Sequence, residues 1–159
     1  MRRILAIAGL LTALLPLTAA STASAAMTPQ DFRSEVVSLT NAERAKVGCP
    51  ALSRNGALDN AAQGHAADMA NQNYFSHNSL DGRTPWDRIA QAGYPSNSGR
   101  AENIAAGQNS PASVVSTWMN SAGHRANILN CSYRSIGVGY GYNVNATYDH
   151  YWVQDFGTV

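Results

Sequence analysis

Charge is scarce in this chain, and so is cysteine. Only 13% of its 159 residues are charged, with 11 Lys and Arg against 10 Asp and Glu. No basic or acidic block occurs, which argues against nucleic acid or an anionic membrane as a partner. The two cysteines, Cys49 and Cys131, have the spacing of no zinc motif. Past residue 17 no apolar run is long enough to span a bilayer. His-Glu-x-x-His, a phosphate-binding glycine loop and a Gly-x-Ser-x-Gly elbow are all missing, so no standard metalloprotease, nucleotide or serine-hydrolase signature is present. There is no internal repeat.

The N-terminus supplies a compartment. Arg2 and Arg3 precede an apolar stretch, Ile4 to Leu17, broken by Pro16, and Ala23-Ser24-Ala25 is a small-residue cleavage pattern. Residues 1–25 therefore read as a secretory signal peptide, and residues 26–159 as one released domain. Removing Arg2 and Arg3 leaves nine basic residues against 10 acidic ones, and a monomer is expected. In an oxidising compartment the simplest pairing is a Cys49–Cys131 disulfide, closing a loop of about 80 residues.

Four helices and a hairpin follow from local signals. Thr28-Pro29 starts a helix that runs to about Gly48, and Asn55 starts another that ends near Asn73. Thr84-Pro85 and Ser110-Pro111 repeat the same start, the first ending at Gly93 and the second passing through Met119. Ser121-Ala122-Gly123 reads as an interruption, with a helical turn over 124–129. Ile136, Val138, Tyr140 and Tyr142 alternate with Gly137, Gly139 and Gly141, and Tyr148 to Phe156 is aromatic and β-branched. Together these make a hairpin joined by 143–147. A strand face made of glycines requires a close neighbour, and a packed helix is the expected one over a ligand. The class is α+β, with helices flanking an antiparallel sheet.

Three residues carry candidate chemistry: His77 in a loop, Glu102 in a short extended or turn segment, and His124. Two imidazoles and a carboxylate can ligate a divalent cation or move protons. Glu102 would be a third ligand, or would fix the tautomer of one imidazole. His65 lies on the apolar stripe of its helix and reads as a packed histidine. His150, among Tyr148, Tyr151 and Trp152, reads as a member of an aromatic cluster.

These segments also carry a family likeness. Leu39 to Arg44, His65 to Ala70, Tyr74 to His77, Glu102 to Ala105, Trp118 to Ser121, Gly123 to Leu129, Ile136 to Gly139 and Tyr151 to Gly157 together resemble the CAP superfamily, in its bacterial SCP-like extracellular branch. The resemblance implies a three-layer α-β-α sandwich with a central antiparallel sheet. It also implies a cleft holding two His and two Glu, in which His77, Glu102 and His124 match three members. The fourth position falls on Ser121, and Ala101 stands where the usual glycine precedes Glu102. In eukaryotic relatives such paired histidines hold Zn²⁺ or a similar cation, so His77 and His124 are the expected metal ligands. Family members are linked to lipid binding, channel block, defence and, in a few cases, proteolysis. The expected function is a secreted binding module for a cation and a small lipid-like or glycan-like ligand, at the cell surface or free. The alternative is a metal- or His/Glu-assisted hydrolase of peptide or cell-wall material, with His77, Glu102 and His124 as its catalytic residues.

Overall fold

The computed structural model describes residues 27–159, so the signal-peptide assignment to residues 1–25 lies outside the described residues. Helices α1 (Pro29–Lys46), α3 (Pro85–Gln91) and α4 (Pro111–Met119) all begin in one way. A Thr or Ser caps the first turn, Pro occupies its first position, and the residue three after the cap bonds back, as Asp31 does to the Thr28 N–H at 2.7 Å. Proline loses nothing there, because that N–H has no partner inside the helix. Helix α2 (Gly56–Gln72) is capped by Asn55 and ends on Asn73 in the left-handed region (φ 52°).

Strands β1 (Ser53–Arg54), β2 (Arg100–Ala106), β3 (Ser135–Tyr142) and β4 (His150–Gly157) form one sheet in the order β1-β3-β4-β2. β4 runs antiparallel to both of its neighbours, β2 and β3. The two-residue β1 runs parallel to β3, so the sheet is mixed at that edge; two residues are too few to show any periodicity. The predicted hairpin is β3–β4, with a loop two residues longer than expected. The segment around Glu102 is a full strand.

The sandwich follows from alternation along these strands. One face carries Ile136, Val138, Tyr140, Trp152 and Phe156, and packs on α1, α4 and α5 (Ala122–Ile128) through Val36, Val114, Val115, Trp118 and Ile128. The opposite face carries Ile104, Tyr151 and Val153 under Ala62, Ala66 and Met69 of α2. The glycine face lies there too. A Cβ on Gly137, Gly139 or Gly141 would sit 2.0, 2.1 or 2.3 Å from backbone atoms of Leu58, Ala62 and Ala66. Every second strand residue (about 6.7 Å) thus meets every fourth helix residue (about 6 Å), and the packed helix is the neighbour the glycines require. Asp59 and Gln63 of α2 also bond the Val138 and Tyr140 backbones, covering β3 beyond the reach of β1.

Candidate functional site

β2 is an edge strand, and its consecutive residues serve opposite layers. Glu102 points to the α2/α3 side. Asn103 points to the other side, where its amide donates to the His124 carbonyl at 3.2 Å and to Gln154 at 3.1 Å, while its Oδ1 accepts from Asn127 at 2.9 Å. The Ile104 carbonyl accepts from the Trp118 indole at 3.1 Å, tying α4 to the same strand. One tripeptide therefore positions side chains from both layers.

His77 comes from the loop after α2. Its Nδ1–H donates to Glu102 Oε1 at 2.7 Å. Glu102 Oε2 accepts from Arg88 of α3 at 2.7 Å, and both of those side chains are buried. With its two oxygens so engaged, Glu102 links the imidazole to the Arg88 guanidinium. The bond makes Nδ1 the donor and leaves Nε2 without a partner on a half-exposed ring. Behind the loop, His65 is 1% exposed and donates from Nε2 to the Ser76 carbonyl at 2.9 Å. Burial first, then the Arg88 charge, holds His65 below the ordinary imidazole value. It supports the loop, as its place on the apolar stripe predicts.

His124 enters from α5. Burial, and secondly the charge of His77, lowers its pKa, so the neutral ring that a metal needs is favoured. Its Nδ1 is buried without a partner. His77 and His124 line one cleft of about 500 Å³, with Phe75, Ser76, Asn78 and Ile104. The three sequence candidates therefore meet. Ser121 does not line the cleft; the predicted interruption is there but falls on Asn120 and Ser121, and Ala122 and Gly123 already belong to α5, which Ser121 begins without a side-chain capping bond. His150 bonds the Tyr140 hydroxyl at 2.8 Å within its aromatic cluster. A second cavity of about 370 Å³ lies between α2 and α3 and reaches Arg88 and His65 from behind.

Among the described residues no three His, Cys, Asp or Glu side chains converge as a ligand set for a metal. The fit to a cation is that of two imidazoles, one with its tautomer fixed. Sequence reasoning missed Arg88, Asn103 and Asp155, the last lying directly across from Glu102 on β4. Arg88 had no signal beyond its type. Asn103 and Asp155 lay inside quoted motifs but carried no assigned role.

Comparison with known proteins shows the family and the fold. The chain is 43% identical over 120 residues to the protein YkwD of Bacillus subtilis, covering 76% of this chain and 46% of that one. It is 36% identical over 105 residues to the membrane protein YlbC of the same organism, covering 66% of this chain and 30% of that protein. It thus spans less than half the length of both curated relatives. An extracellular SCP-domain protein of Bacillus anthracis superposes with a TM-score of 0.71 at 31% identity, over 86% of this chain and 45% of the other. An outer surface protein of Borrelia burgdorferi shares the fold at 23% identity, with a TM-score of 0.72 over 82% of this chain and 95% of that one. The CAP family model, that of the cysteine-rich secretory proteins, matches residues 37–156, and the chain belongs to that family.

Proposed function

We propose that the protein is a secreted binding module. In this reading His77 and His124 hold a divalent cation such as Zn²⁺, and the ion takes the polar part of a small ligand. The His77–Glu102–Arg88 chain carries the proposal, since a buried ion pair spent on fixing one imidazole tautomer is the arrangement found behind metal-binding histidines. Exposed Phe75, beside Ile104, offers an apolar wall for the rest of the ligand. Two imidazoles without a third protein ligand favour a weak, open site whose remaining positions belong to water or ligand. Among the described residues no Ser or Cys side chain hydrogen-bonds either imidazole, which favours binding over nucleophilic catalysis. Secretion is supported by the Cys49–Cys131 disulfide and by the extracellular relative. Among the described residues no helix is long and apolar enough to cross a membrane.

Zinc titration tests the proposal. At 100 times Kd, a ligand selective for the folded state adds about 2.7 kcal/mol, read as a rise in Tm. His77→Ala with His124→Ala should abolish the rise. A flat titration, or an equal rise in the double variant, removes the cation.

A further inference from the structure

Asp155 has no part in the cation reading, yet it is the most deeply buried acid in the described chain, at 1% exposure. It lies on β4 between Glu102 of β2 and Gly137 of β3 in the same register row. Gly137 faces the α2 backbone, so Asp155 and Glu102 share the closed face beneath that helix. Asp155 Oδ1 has no hydrogen-bond partner. The groups acting on it are Glu102 beside it and Arg88 of α3; the same two charges act on His65 of α2, and Glu102 also holds His77. Among the described residues Arg88 is the one permanent cation acting on Asp155, and it is already bonded to Glu102.

One guanidinium cannot balance two neighbouring carboxylates out of water, because like charges at contact in a closed site do not both ionise. One acid must keep a proton. Glu102 gives its oxygens to Arg88 and His77, so it is the carboxylate, and the proton falls to its neighbour. We propose that Asp155 is a positioning residue of the histidine cleft, a neutral carboxyl whose O–H donates to Glu102 and holds that carboxylate against His77. Desolvation, then the Glu102 charge, pushes Asp155 well above the usual carboxyl range, while Arg88 opposes this. An ionised Asp155 would repel Glu102 and compete for Arg88. The orientation of His77, on the exposed side of the sheet edge, thus depends on a proton two residues further in.

The assignment takes the cleft as the working site but does not need the cation. Carboxyl carbon NMR of the intact, metal-free protein at neutral pH tests it first. Asp155 should resonate as a protonated acid while exposed Asp87 resonates as a carboxylate. An ionised Asp155 overturns the proposal. The second arm follows the His77 Nδ1 proton, which is shielded from exchange by its bond to Glu102. Asp155→Asn keeps a donor toward Glu102 and should preserve the signal. Asp155→Leu should speed its exchange by about tenfold, the low end for losing a hydrogen bond to a charged group. Equal exchange in two folded variants also overturns the proposal. Should the Leu variant not fold, the wild-type carboxyl spectrum decides alone. A protonated Asp155 with no zinc response would sink the cation reading and leave this one standing.

Discussion

Single residues set the pH behaviour. Folded His65 stays neutral because burial disfavours its charge, whereas the unfolded chain protonates near the ordinary value of 6.5. Below that pH the unfolded state binds the extra proton, so stability falls as pH falls, by at most about 1.4 kcal/mol per unit. The loss stops at the lowered folded pKa. Asp155 acts in the opposite sense. Its raised pKa makes the folded state the better proton binder above 3.8, so its contribution declines as pH rises from there through its folded value. His65→Gln, which keeps an N–H for the Ser76 carbonyl, separates the two. Urea unfolding between mildly acidic and neutral pH should show the wild type losing stability on acidification relative to the variant. Parallel curves would refute the neutral buried imidazole. At this scale the sequence was most informative about His77, Glu102 and His124, which stand in distinctive contexts. It was silent on Arg88, whose partner is 14 residues away on another element.

Among the elements, the contact between α2 and β3 is the least forgiving. Gly139→Ala would drive a methyl to 2.1 Å from the Ala62 carbonyl oxygen, and backbone cannot yield as a side-chain tip does. We expect a loss above roughly 3 kcal/mol, at or beyond the upper range for overpacking, or failure to fold. Gly64→Ala, on the exposed side of the same helix, meets nothing within 4 Å. It should stabilise by roughly 0.5–1 kcal/mol through helix propensity. Chemical denaturation of both variants checks these opposite signs. The glycine alternation was legible because period two is visible along one strand. β1 was not, since two residues pair only where α1 and β3 have already placed them. Nor could the helix start at Ser121 be told from a break, because that cap makes no side-chain bond.

For the whole molecule, two devices fasten the end of α1 to the segment after α5. One is the Cys49–Cys131 disulfide. The other is Arg44, wholly buried, whose guanidinium donates to the carbonyls of Pro50, Ile128, Asn130 and Tyr133 at 2.7–3.1 Å. Replacing both cysteines by Ser should cost about 2–4 kcal/mol, mostly by freeing the unfolded chain. The native circular dichroism should persist, because Arg44 keeps the two segments joined. Collapse of that spectrum at low temperature would show that the crosslink alone holds them.

From the order of its residues, this chain determined its four capped helix starts, its glycine-faced strand, its cysteine pair and the three side chains worth watching. Each is written in neighbours a few positions apart, or in residue types too few to pair otherwise. The tertiary structure alone decided that Glu102 bonds His77, that Arg88 balances it, and that Asp155 is shut in beside it. Those are consequences of burial and charge balance, which arise only when distant segments exclude water together.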